Sequence, residues 1–367
     1  MLEKIKTLSL KQKIGQLFWI GLPGSELDDA TRELLLEIEP GGICLFTRNI
    51  REVKQTRKLL SDIREISAVE PLISVDQEGG LVDRFRKIIE PMPAASSLRN
   101  ANDAKTLAKI SAEVLAILGF NINFAPVVDV LNEERSKAQN GLQSRGLGKS
   151  KEEVVEYSTK YLETLQSNGI LGCIKHFPGL GASKIDAHED LPSVNLSEDE
   201  FYSVDQFPYS ELFKTKLVKC VMVAHTAFPN LDLQETDSNG KLLPSSLSFN
   251  FITKLLREKL GFNGLVVTDD MEMGAILRNY GIAEACKMAI KAGEDMLLIC
   301  ANSVQMNDGF NAVLDAVNNG EISEKRIDES LQRIAAIKSL MKSPIEFSEN
   351  RLSELSGEIV ELKLKLK

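Results

Sequence analysis

The sequence predicts a (β/α)8 barrel in a single domain, and three observations carry that prediction. Short apolar runs rich in β-branched residues recur eight times along the 367 residues. They are continuously apolar rather than alternating, the pattern of strands buried on both faces of a parallel sheet. Most are separated by stretches of helical length and punctuation, as a barrel of this size requires. A doubly wound open sheet is the other architecture that fits such a pattern.

In chain order the strand runs are GQLFWIGL (15–22), GGICLF (41–46), PLISVD (71–76), NINFAPV (121–127), LGCIKHF (171–177), VKCVMVAH (218–225), GLVVTD (264–269) and DMLLIC (295–300). Between the fourth and fifth, SKEEVVEYSTKYLETLQSNG opens with Ser150 and Glu153 spaced as a capping box. It sets Val154, Tyr157, Tyr161, Leu162 and Leu165 on one face and stops at Gly169. Between the sixth and seventh, FNFITKLLREKLGF groups Ile252, Leu255, Leu256 and Leu260 and ends at Gly261. After the eighth, two further periodic segments close the domain. No repeat, low-complexity tract or proline-rich linker divides the chain. One domain over 1–343 is expected, followed by a charged, amphipathic, helical tail over 344–367 with a frayed end.

Composition narrows the function. A net charge of −9 gives no basic footprint for nucleic acid or an anionic membrane. The N-terminal segment has charges scattered among its apolar residues, unlike a secretory signal, and no run is long enough to span a bilayer. The five cysteines are odd in number, lack CxxC spacing and sit in apolar runs, which predicts buried, reduced thiols in a cytoplasmic protein.

Polar residues gather where the strand runs end. Asp76, Gln77, Glu78, Gly79 and Gly80 follow the third run, Asp129 the fourth, Lys175 and His176 the fifth, His225 the sixth, and Asp269 with Asp270 the seventh. Each alone has a structural explanation: a cap, a turn, a satisfied core histidine. Their joint occurrence at five strand ends points to one site, because barrel strands present their C-terminal ends to a common mouth. The segment IKHFPGLGASKIDAHEDLPSV holds two of the three histidines, His176 and His188. Asp186 stands two residues before His188, placed to hold one ring nitrogen and leave the other for proton transfer if the glycine-rich loop bends.

Read together, DQEGG followed by RF, NINFAPVVDV, KHFPG-G, D-H--LP and GLVVTDDMEM resemble, in this order, the family 3 glycoside hydrolases, in particular the single-domain bacterial β-N-acetylhexosaminidases of cell-wall recycling. The resemblance spans about residues 10–340. It implies an exo-acting, retaining enzyme that removes terminal β-linked N-acetylglucosamine from peptidoglycan-derived muropeptides, with no cofactor and no metal. It implies Asp269 as nucleophile and His188, paired with Asp186, as acid/base. Asp76, Arg84, Arg145, Lys175 and His176 fall on the sugar-binding positions. The pattern departs from the family at Leu180, Leu81 and Asp83, at RGLG in place of RSFG, and at DAH in place of DSH; the aglycone side and the loop are where a difference is expected. Alternatives are a β-glucosidase or glycoside phosphorylase of the same fold, or a catalytically degenerate sugar-binding barrel. A metal-dependent hydrolase using His176, His188 and His225 lacks the HxH or HExxH spacing that presents two imidazoles to one ion.

Overall fold

A computed structural model describes residues 1–138, 140–184 and 190–367. Its eight strands are β1 (Phe18–Gly21), β2 (Gly42–Leu45), β3 (Leu72–Val75), β4 (Ile122–Asn123), β5 (Leu171–Phe177), β6 (Cys220–Val223), β7 (Leu265–Asp270) and β8 (Met296–Ile299). They pair in parallel, each with its neighbour in sequence, and β8 pairs with β1 to close the barrel. The barrel is therefore the observed architecture and the open sheet is not.

Each strand leads into a helix on the outside: α1 (Asp29–Ile38), α2 (Val53–Ile66), α3 (Ala101–Leu118), α4 (Lys151–Ser167), α5 (Phe207–Lys214), α6 (Asn250–Lys259), α7 (Ile282–Ala292) and α8 (Ser303–Asn318). Two more follow, α9 (Glu324–Lys338) and α10 (Glu349–Leu366). The predicted face of α4 is buried as expected. Its cap differs in detail: the Ser150 hydroxyl accepts from the Glu153 amide, but the Glu153 carboxylate takes the amide of Lys149 rather than that of Ser150. Helix α6 is wound wider than the ordinary helical spacing of Ile252, Leu255, Leu256 and Leu260 suggested, with i→i+5 bonds such as Leu260 N to Leu255 O at 2.9 Å. Leu260 consequently leaves the fully buried set, which holds Phe251, Ile252, Leu255 and Leu256.

Strand β4 is short because Pro126 has no amide to give the ladder. The barrel interior is filled by side chains. Trp19 packs at 4.9 Å from Phe124 and lies over Gly42, where a Cβ would come within 2.4 Å of the indole; Gly42 thus gives Trp19 its space. All five cysteines are free and buried. Among the described residues no helix is long and apolar enough to cross a membrane.

Helix α10 packs along α3, burying Leu352, Leu355, Ile359 and Leu362. Ion pairs fix its length: Arg351 to Glu113 at 2.5 Å, Lys363 to Glu90 at 2.6 Å and Lys365 to Asp103 at 2.6 Å. Such contacts hold both ends of the helix, so the sequence-based expectation of a frayed end misses the partners that the tail finds on α3 and on the β3–α3 connection.

Candidate active site

The sequence-predicted residues that lie among the described ones come together at the C-terminal mouth. Asp76 follows β3, Arg84 lies in the β3–α3 connection and Arg145 in the β4–α4 connection, while Lys175 and His176 belong to β5 and Asp269 to β7. Asp186 and His188 lie outside the described residues.

The centre of the mouth is a buried charge network. Lys175 Nζ stands 2.7 Å from Asp76 Oδ1 and 2.6 Å from Glu78 Oε1, and the side chains of Lys175 and Glu78 are only 2% exposed. Arg145 forks onto Glu78, Nε to Oε2 at 2.7 Å and Nη2 to Oε1 at 3.0 Å, the bidentate geometry that makes arginine suited to a carboxylate. Burial by itself would raise both carboxyls. For Asp76 the Lys175 ammonium, then Arg84, overcome it and hold the group well below its usual range; for Glu78 Arg145 and then Lys175 bring it down to about 2. The same pairing keeps Lys175 charged although buried, its affinity for the proton raised by Asp76 and Glu78 against the desolvation cost. Lys175, Arg84 and Arg145 thus share two carboxylates, Asp76 and Glu78, which offset most of their charge.

Arg84 reaches Asp76 Oδ2 at 3.3 Å through Nη2, while its Nε is buried with no partner among the described residues. The loop that carries Arg84 is set by its neighbours. Gly79 and Gly80 take positive φ (94° and 61°), and a Cβ at Gly79 would sit 2.1 Å from the Pro93 carbonyl oxygen; the chain turns there as only glycine allows easily. Asp83, fully buried, accepts from Gln77 Nε2 at 2.9 Å, Phe85 N at 3.0 Å and Met92 N at 2.7 Å. Gln77 Oε1 in turn accepts from the Arg84 amide at 3.0 Å. The departure at Asp83 therefore preserves a scaffold for Arg84, whereas Leu81 is 68% exposed beyond it.

His176 spans two charged partners. Its Nδ1 is 2.7 Å from Asp129 Oδ2 and its Nε2 is 3.2 Å from Arg145 Nη2. A guanidinium only donates and a carboxylate only accepts, so the ring carries its hydrogen on Nδ1 and accepts through Nε2. Asp129 also takes the amide of Leu180 at 2.6 Å through Oδ1. The leucine side chain packs with Leu131 and Leu142, which ties the start of the glycine-rich loop to the β4 end by one polar and one apolar contact.

Asp269 lies partly exposed at the end of β7, with Oδ1 accepting from the Asp270 amide at 2.8 Å. Burial would raise its carboxyl, but the imidazoles of His176 and His225 whenever they carry a second proton, and the Asp270 amide and Lys175 ammonium at all times, more than offset that and hold it below the usual carboxylate range. Burial pushes the neighbouring Asp270 up to about 7, with Glu272 and Asp269 adding to the rise and the Glu272 amide opposing it. Two adjacent carboxyls are thereby set apart, one below and one above the usual carboxylate range.

Glu272 braces this strand end from below. Its Oε2 accepts from the amides of Cys300, at 2.8 Å, and Ala301, and its Oε1 from Asn302 at 2.9 Å. Three charge-assisted bonds bind the β7 turn to the β8 end. We expect Glu272→Ala to lose about 1–3 kcal/mol of stability, read as a shift of the denaturant midpoint at unchanged slope; an unshifted midpoint would refute the brace.

Sequence reasoning listed Glu78 and Asp129 as strand-end acids without giving either a place in the site; both turn out to hold residues that were named. The signal was present for each, a carboxylate at a buried strand end that needs a cation. Glu272, two residues beyond Asp270, was not singled out, because its partners, the amides of Cys300, Ala301 and Asn302, are brought to it only by the pairing of β7 with β8. Among the described residues no three of His, Cys, Asp and Glu come together as metal ligands.

The family model for the glycosyl hydrolase family 3 N-terminal domain matches residues 9–337. The chain belongs to glycosyl hydrolase family 3. A β-hexosaminidase of Psychromonas ingrahamii is 34% identical over 289 residues, covering 77% of this chain and 81% of the relative. That of Tolumonas auensis is 32% identical over 306 residues, covering 82% and 86%. A solved family 3 β-N-acetylglucosaminidase from Paenibacillus sp. str. FPU-7 superposes with a TM-score of 0.87 at 34% identity, over 97% of this chain and 69% of that one. As a family 3 member this chain is a glycoside hydrolase, with the family match ending before α10.

Proposed function

We propose that the chain is an exo-acting, retaining β-N-acetylhexosaminidase that removes terminal β-linked N-acetylglucosamine from peptidoglycan-derived muropeptides in the cytoplasm. One observation carries the reading. An ionised Asp269 with one oxygen held by the Asp270 amide faces a cradle of Asp76, Arg84, Lys175 and Arg145, in a chain whose relatives are β-hexosaminidases. The muropeptide substrate follows the sequence resemblance, and the five free cysteines are in keeping with a reducing compartment.

In this reading Asp269 attacks the anomeric carbon with its unheld oxygen while His188 gives a proton to the leaving oxygen. The resulting glycosyl-Asp269 ester is opened by a water from which His188 takes a proton, with Asp186 holding the imidazole throughout. Asp76 accepts from sugar hydroxyls, and the partly exposed guanidinium of Arg84 donates to one.

The test is kinetic. With the purified chain, kcat/KM for an aryl N-acetyl-β-glucosaminide is expected to exceed that for the aryl β-glucoside by about 100-fold or more, the discrimination open to a site that bonds the missing group. Equal values would refute the substrate class. His188→Ala is expected to lose roughly 10²- to 10⁴-fold in kcat/KM on substrates with poor leaving groups, and little on activated aryl glycosides, since only the former need the proton. Equal losses on both would give His188 a binding role instead.

A further inference from the structure

His225 ends the sixth apolar run and is not used in the chemistry above. It is wholly buried, just past β6, and both ring nitrogens have defined partners. Nδ1 is 2.6 Å from Ser246 Oγ and Nε2 is 3.0 Å from the carbonyl oxygen of Asp270. A carbonyl oxygen only accepts, so Nε2 must carry the hydrogen; in the neutral ring the lone pair is then at Nδ1, and the Ser246 hydroxyl donates to it. In the opposite tautomer a ring lone pair would face a carbonyl lone pair.

Ser246 is itself held. In the adjoining residue, Ser245 Oγ donates to the Ala224 carbonyl at 2.6 Å and Ser245 N to the Thr226 carbonyl at 2.8 Å, so the segment is fixed to the chain on either side of His225. At the other end of the relay, Asp270 is grasped around its whole backbone. Its carbonyl accepts from His225, the next amide, Met271 N, donates to Leu298 O of β8 at 2.8 Å, and its own amide donates to Asp269 Oδ1.

We propose that His225, with its tautomer set by Ser246, is a positioning residue for Asp269: it fixes the Asp270 backbone so that the Asp270 amide holds one carboxylate oxygen and leaves the other aimed at the substrate. The inference rests on the proposed role of Asp269 as nucleophile. It also gives the two described histidines opposite tautomers on either side of Asp269, His176 with its hydrogen on Nδ1 and His225 with its hydrogen on Nε2. A misplaced carboxylate slows attack without weakening sugar binding, so the effect belongs in kcat.

Two measurements test it. With only three histidines in the chain, ¹⁵N-histidine spectra of the wild-type protein, assigned by single substitution, resolve each ring. The expected result is one fixed Nε2–H tautomer for His225; an Nδ1–H tautomer, or averaging between the two, overturns the proposal, and the readout is taken on the wild-type protein. In kinetics, Ser246→Ala is expected to lower kcat and the single-turnover rate about tenfold with KM within about threefold, and Ser246→Thr, which keeps the hydroxyl, to restore both. A loss confined to KM, a kcat equal to wild type, or no rescue by threonine overturns it. The nucleophile reading fails separately, by activity remaining in Asp269→Ala; an inactive Asp269→Ala beside a Ser246→Ala of wild-type kcat sinks the positioning role alone.

Discussion

Asp269→Ala is expected to reduce turnover by roughly 10⁴- to 10⁶-fold, the range seen when a nucleophile is removed from a site that otherwise still binds. Asp269 is partly exposed at the end of β7, it accepts a hydrogen bond from the next residue's amide, and it lies beside a second carboxyl. Deleting it removes like-charge repulsion from Asp270 and leaves no deep cavity, but also removes a carboxylate that its surroundings favour, so the thermal midpoint should stay within a few degrees of wild type. A slow fluorinated N-acetylglucosaminide should label the wild-type enzyme at this side chain, found by mass spectrometry of the digested protein. Label on Asp270 or Asp76, or turnover in the variant within a hundredfold of wild type, would refute the assignment, a bound set about two decades short of the expected loss.

Lys175→Met has the largest expected effect on stability. Its ammonium is the shared partner of Asp76 and Glu78, all but sealed from water. Methionine fills the space and leaves the two carboxylates with Arg84 and Arg145 alone, and removing one partner of a buried ion network costs about 3–5 kcal/mol. The sign of the pH dependence identifies the cause. Both carboxyls are held low in the folded protein, so their stabilising effect is present above the ordinary carboxylate range and is lost as pH falls through the depressed values. In the variant they revert upward and accept protons at higher pH, where neutral acids no longer need the lysine. The stability gap between wild type and Lys175→Met should therefore be widest near neutrality and narrow on acidification towards pH 4. A gap independent of pH would mean that packing, not charge, set the cost.

The eight strands were legible in the sequence because the strands of a closed parallel barrel are buried on both faces and are left as continuous apolar runs: LISV, CVMV and MLLI need no partner to be recognised. The mouth was legible for a related reason. Charge at the end of such a run is costly without company, so Asp76, Asp129, Lys175 and Asp269 announce a site by their position alone. Local windings were less so. The wide turns of α6 and the shifted cap of α4 depend on small differences between nearly equal hydrogen-bond choices, and the footing of α10 on α3 depends on partners more than 200 residues away in sequence.

By itself, then, the sequence determined the eight strands, the strand ends that carry charge, and the identity of the charges placed there, while the β8–β1 pairing closed the barrel. Tertiary structure alone decided how those charges are joined. That Lys175 is shared by Asp76 and Glu78, that Arg145 and Asp129 fix the ring of His176, and that Ser246 reaches His225 across 21 positions are facts of strand adjacency and loop return. A pattern of residue types states which groups seek partners. Only the closed sheet, by bringing one strand end beside another to within hydrogen-bond length, decides which partner each one finds.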